Sequence, residues 1–173
     1  MSFFRLNFRH LKVITCLILA LTYLATPRLF AKDLAGDLFK KVKPPTSEWK
    51  VGKDKKGDKV LGVKDKMKAV NVGLKIQVNM PVTTQYFLEQ VRSRIISDPG
   101  YGGAEVTLIN SQNLNGSTWD YFVIKRKDQV NQEFWARSLN SDQILMVLYT
   151  ALGNYYPQYH EDFQKILEQA SLN

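Results

Sequence analysis

This chain is poor in the side chains that carry out chemistry. Its 173 residues include one cysteine, Cys16, and two histidines, His10 and His160. A single thiol excludes an internal disulfide, and no zinc motif can be built from it. Cys16 and His10 both fall in an N-terminal segment expected to be removed, so His160 is left to the mature domain. A Ser-His-Asp arrangement would have to use that histidine, and no strand–turn–helix nucleophile motif accompanies any serine. Next to Glu161 and Asp162 on the polar face of an expected helix, His160 reads as a solvated or capping residue. Gly100, Gly102 and Gly103 lack the Lys-Ser/Thr that completes a phosphate loop, and they precede a strand, not a helix. Asp54 and Asp58 lack the ligand spacing of a cation loop. No catalytic residue, no metal ligand and no cofactor site is therefore expected.

What the chain does have is positive charge, unevenly placed. The formal net charge is +8. Arg5, Arg9, Lys12 and Arg28 are unopposed by any acid in residues 1–31. Residues 32–75 hold thirteen lysines against six acids, and residues 76–173 hold seven basic against ten acidic side chains. The first segment reads as a secretory signal: a basic start, an apolar run over 13–25, a break at Thr26-Pro27, and small Ala31 before Lys32. Cleavage is expected after Ala31, with Ala25 an alternative site. The apolar run is too short for a comfortable membrane-spanning helix; an uncleaved inner-membrane anchor is the alternative. A signal of this form fits a periplasmic or secreted bacterial protein, and export disfavours nucleic acid as a partner.

Residues 32–48, ending in Pro44-Pro45-Thr46, read as a linker, and 49–173 as one domain. Val70, Val72, Leu74, Ile76 and Val78 alternate with polar residues and glycine, the period of a half-buried strand. Before them, 49–51 and 59–63 read as strands on either side of a charged turn. Thr83 or Thr84 caps a helix over about 83–96, with Phe87, Leu88, Val91, Ile95 and Ile96 on its apolar stripe. A short strand is expected at 104–109. Asn115-Gly116 is a strong hairpin-turn signal, since both residues tolerate positive φ. Three strands follow across 118–152, with polar connections at 125–132 and 140–142. In the last, Ile144, Met146 and Leu148 share one face while Leu145, Val147 and Tyr149 share the other, so the strand should be central and covered on both sides. Pro157 fits the first turn of a closing helix over about 157–170, striped by Tyr159, Phe163, Ile166, Leu167 and Ala170. The result is an α+β fold: an antiparallel meander covered by two amphipathic helices.

This pattern resembles the PsbP-like superfamily, which includes the extrinsic photosystem protein of that name and the periplasmic DcrB-like proteins. The resemblance covers about 49–170. It rests on Trp49 with the charged hairpin after it, the alternating strand at 70–79, the helix at 83–96, Asn115-Gly116 running to Trp119, and the terminal helix with Tyr159, Phe163 and Ile166. It implies a small, non-enzymatic, exported protein that binds or stabilises partners, with no shared catalytic residues.

Two features are candidates for contact. Lys53, Lys55, Lys56 and Lys59 form a basic hairpin suited to an envelope protein partner or an anionic membrane surface; Asp54 and Asp58 partly neutralise it. Trp119, Tyr121, Phe134 and Trp135 have strand spacing, which makes core and cross-strand pairs the ordinary role. Their alternative is the wall of a groove for a small hydrophobic ligand. Tyr101 and Tyr155-Tyr156 are expected in loops as exposed contacts. The domain is expected to be a monomer.

Overall fold

Residues 144–152 alternate two apolar sets with no polar face between them. In the computed structural model, which describes residues 40–53 and 59–172, they form the strand on which both halves of the core meet. The strands are β1 (Trp49–Lys53), β2 (Lys59–Val63), β3 (Val70–Gln77), β4 (Glu105–Val106), β5 (Asn110–Leu114), β6 (Ser117–Lys125), β7 (Val130–Ser138) and β8 (Ile144–Leu152). The helices are α1 (Thr84–Ser97) and α2 (Tyr155–Ser171), and a 3-10 turn, Pro99–Tyr101, follows α1. All strand pairs are antiparallel, in one eight-stranded sheet ordered β1-β2-β3-β8-β7-β6-β4, with β5 also pairing β6.

The two faces of β8 feed two separate cores. Leu145, Val147, Tyr149 and Ala151 pack with Trp49, Trp119, Trp135 and the α2 residues Tyr159, Phe163, Ile166, Leu167 and Ala170. On the opposite face, Ile144 packs with Phe122, Ile124, Phe134, Ala136 and the α1 residues Phe87, Leu88 and Ile95. The sheet is thus sandwiched between helices, as the α+β expectation required.

Local chemistry sets the helix ends. The Thr83 hydroxyl accepts from the Tyr86 amide, fixing the start of α1. Ile96, expected on the apolar stripe, is 57% exposed. Adjacent helical residues point about 100° apart, and Ile95 takes the inward position. Helix α2 begins two residues earlier than expected. Pro157 still lies within its first turn, where a missing N–H breaks no intrahelical bond.

The region before the β5–β6 hairpin differs more. The expected strand at 104–109 contracts to the two residues of β4, and β5 appears in the polar stretch after it. Four of the five β5 residues are exposed, so no alternation marks them. Their pairing is dictated by the turn: Asn115 and Gly116 adopt φ of 50° and 78° and place Leu114 opposite Ser117. The polar connection at 125–132 is shorter than expected. β7 starts at Val130, after a turn in which Gln129 has φ 64° and the Arg126 amide donates to the Val130 carbonyl.

The folded unit also reaches back before Trp49. In the stretch expected to be a linker, Val42 is 1% exposed within the α2 core. The Lys43 amide donates to the Gln169 side chain at 2.8 Å, which ties this segment to the last turns of α2.

Val42→Ala is therefore predicted to cost about 2 kcal/mol, from the lost burial plus a residual cavity. Ile96→Ala should stay within about 0.5 kcal/mol, as for an exposed side chain. Urea unfolding of both variants checks this; equal effects would contradict the placement of Val42.

Candidate functional site

The basic hairpin lies at one edge of the sheet. Lys53 and Lys59 are Cα partners where the chain turns from β1 into β2, and both are exposed. Lys55 and Lys56 fall outside the described residues. Lys50, Lys64, Lys68 and Lys75 are exposed on the same three-strand end, and the Lys66 ammonium lies 5.6 Å from the Tyr155 ring centroid. Across residues 49–75 the sequence carries nine lysines against three acids, Asp54, Asp58 and Asp65; seven of those lysines and Asp65 are among the described residues. Helix α1 packs on residues of β6, β7 and β8, so the α1-side face of β1–β3 is not under it. A Cβ placed on Gly73 there would meet nothing within 4 Å.

A second constellation emerges only in three dimensions. Glu133 sits on β7, on the same side as Trp135 and Arg137, and that side is buried under α2. The Glu133 side chain is 3% exposed. It accepts from Trp135 Nε1 at 2.8 Å, from the Tyr156 hydroxyl, and from His160 Nε2 at 2.8 Å. A carboxylate offers only acceptors, so Nε2 carries the proton. His160 is thus half-buried in an ion pair, not free in solvent. Its ring also packs against Tyr149, Tyr156 and Phe163. Tyr155 and Tyr156, expected in a loop, form the first turn of α2. Burial pushes the Tyr156 and Tyr149 hydroxyls well above their ordinary range, with the Glu133 charge adding to it.

The three donors decide the charge state of Glu133. Burial pushes its carboxyl up, but hydrogen bonds from His160, Tyr156 and Trp135 more than offset that and hold it below 4.5. The bond to Glu133 in turn raises His160 above 6.5, against the effect of its own burial. Oε1 of Glu133 accepts from both Tyr156 and His160 and Oε2 from Trp135, so three of the carboxylate's acceptor positions are taken in a side chain that is 3% exposed.

Three smaller features lie outside this cluster. Asp120, 4% exposed, accepts from the hydroxyls of Thr84 and Ser111, tying the start of α1 to the β5 edge. A cleft of about 310 Å³ is lined by Glu48, Gln158, Tyr159, Glu161 and Asp162, with Thr46 and Ser47. A smaller one, about 170 Å³, lies between the glycine loop and Arg126, Lys127 and Asp128. There Arg126 forks onto Asp128 at 2.8 and 3.0 Å and lies 4.9 Å from the Tyr101 ring centroid, so Tyr101 is stacked under a guanidinium. Neither cleft includes His160. No group of three or more His, Cys, Asp or Glu that could hold a metal occurs among the described residues.

The aromatic set is packed on itself. Trp119 and Trp135 are 0% and 2% exposed. Tyr121 stacks on Trp135 at 4.1 Å, and Phe134 stacks on Phe122 at 5.0 Å across β6 and β7. These are the cross-strand pairs the spacing suggested.

No protein-family model and no curated protein matches the chain. Among solved structures, it is similar to cyanobacterial PsbP (CyanoP) from Synechocystis sp. PCC 6803, whose solution structure aligns with TM-score 0.51 at 11% identity, over 71% of this chain and 81% of that one. At that identity the likeness is one of fold. The fold is PsbP-like, as the order of elements had suggested. Among the described residues, no helix is long and apolar enough to cross a membrane.

The ion pair sets a pH dependence. Glu133, lowered below 4.5, contributes stability above that pH and loses it as the pH falls through its folded pKa. His160, raised above 6.5, contributes stability below that pH and loses it as the pH rises through its folded pKa. Both contributions are complete between 4.5 and 6.5. The stability difference between the native chain and His160→Gln is predicted to be largest near pH 5–6 and to shrink steadily above pH 7, read by denaturant unfolding across pH. A difference independent of pH would show that the pair is not charged.

Proposed function

We propose that this protein is an exported, non-enzymatic accessory protein of the bacterial cell envelope that acts by protein–protein contact through the basic edge formed by β1 and β2. The observation that carries this reading is the charge imbalance of the β1–β3 end: nine lysines against three acids over residues 49–75, with Lys50, Lys53 and Lys59 on its two most lateral strands. A field of one sign steers an acidic partner and weakens as salt rises. The rest of the molecule supports a binding role over a catalytic one. Its half-buried histidine is committed to an ion pair, and the carboxylate of that pair is buried and already accepts three hydrogen bonds. The PsbP-like resemblance implies the same kind of role.

Export rests on the N-terminal pattern, with a mature chain beginning at Lys32 and working as a monomer in the periplasm or outside the cell. The reading as a carrier of a small hydrophobic ligand has less support, because the aromatic residues that would line its groove fill one another's contact surface.

Charge reversal at Lys53 and Lys59 is predicted to reduce capture of cross-linked envelope proteins at least fivefold, with no change in the thermal midpoint. The remaining capture should fall as salt is raised. Capture unaffected by the reversal would remove the basic edge from the mechanism.

A further inference from the structure

The basic edge also has an exposed backbone. The Lys64 amide donates to the Glu48 carbonyl at 2.7 Å, which makes Glu48 and Lys64 a hydrogen-bonded pair. In an antiparallel ladder such pairs alternate with non-bonded ones. With Trp49 opposite Val63 and Val51 opposite Leu61, the bonded pairs are Lys50 with Gly62 and Gly52 with Val60. Trp49, Val51 and Lys53 therefore turn their amides and carbonyls away from β2. The Trp49 amide is met by the Thr46 carbonyl at 3.2 Å. Those of Val51 and Lys53 are offered outward, and among the described residues no strand pairs with that side of β1. Val51 is 46% exposed beside them.

Resting on the accessory-protein reading above, we infer that β1 is an acceptor edge for an extended acidic segment of a protein partner, which adds as a further strand beside Val51 and Lys53. Main-chain bonds to Val51 and Lys53 supply the register, and Lys50, Lys53 and Lys59 supply the charge selection. Lysines on an edge strand commonly discourage pairing with other copies. Here a second copy of β1 would bring Lys50 and Lys53 against their own kind, whereas a strand bearing glutamates meets opposite charge. The same side chains that oppose self-association thus favour an acidic occupant.

The test uses the full chain and two peptides of equal charge: one alternating glutamate with threonine, the other with the same number of glutamates separated by pairs of prolines, so that neither edge of it has a full set of N–H donors. Proline lacks the N–H that an added strand must donate. Val51→Pro removes an outward donor and leaves the β1–β2 ladder intact, a position where edge strands tolerate proline. The threonine peptide is expected to bind at least tenfold more tightly than the proline peptide, and Val51→Pro to weaken it at least tenfold. Peptides binding within twofold of each other, or a folded Val51→Pro that binds normally, would overturn strand addition. If Lys53→Glu/Lys59→Glu still weakened both peptides, the basic-edge reading would survive that failure; if it did not, both would fall. Should Val51→Pro not fold, amide exchange in the native chain decides: at least tenfold slowing at Val51 and Lys53 with the threonine peptide supports the inference, and unchanged exchange overturns it. Binding of neither peptide, or a concentration-dependent dimer of the native chain with protected Val51 and Lys53 amides, would also overturn it, the latter in favour of a second copy.

Discussion

The arrangement depends on how β7 holds α2. Period-2 alternation puts Glu133, Trp135 and Arg137 on one face of that strand, and α2 lies across them. Glu133 meets Tyr156 and His160 in the first two turns of the helix, while Arg137 donates to the Ala170 carbonyl at 2.8 Å at the other end. An acid near the N-terminus and a base at the C-terminus both match the helix dipole. The two buried charges thus fix the direction and position of α2 as well as its contact. Between them Trp135 sits 6.2 Å from Phe163, and Phe163 stacks on Tyr149 at 4.5 Å. Every tryptophan nitrogen under the helix is satisfied: Trp49 by Asp162, Trp119 by Ser171 and Trp135 by Glu133. Buried polar groups with their partners in place favour one packing over its competitors.

A sheet anchored in this way has unequal ends. Helix α2 spans the central strands on one face, and α1 covers only β6, β7 and β8 on the other. The β1–β3 end is left with a helix on one side, and it is there that the lysines collect. At the opposite end, β6 is shared by β4 and β5, so its outer edge is largely paired. There β4 and β5 are themselves the outer edge, so the two ends of the sheet differ in charge and not in having an unpaired backbone, and it is the charge that supports the contact proposed at β1.

The parts of this fold that were legible in the sequence are those where one residue determines one conformation, or where burial imposes a period. Asn115-Gly116 specified its turn, Thr83 its helix start, and the double alternation of 144–149 a central strand with two cores. β5 was not legible, because an edge strand with four exposed residues carries no apolar period; its pairing comes from the turn beside it. Val42 was missed because a single apolar residue among lysines and prolines gives no pattern. The Glu133 cluster was missed for a different reason. His160 reads as a surface residue on its own helix, and only contact with a strand 27 residues away shows otherwise. The available hint was the pair Glu133 and Arg137 on the same strand face as Trp135, a face the fold had to bury. The lysines were visible from the start, but their relation to a free backbone edge needed the register of β1 against β2.

The most direct test of a partner-binding edge is to map where the full chain touches its neighbours in intact envelopes. Lysine-reactive cross-linking followed by peptide mass spectrometry reports each contact by residue. The account predicts intermolecular cross-links concentrated at Lys50, Lys53 and Lys59. Cross-links confined to Lys125, Lys127 and Lys165 would place the partner elsewhere and contradict it.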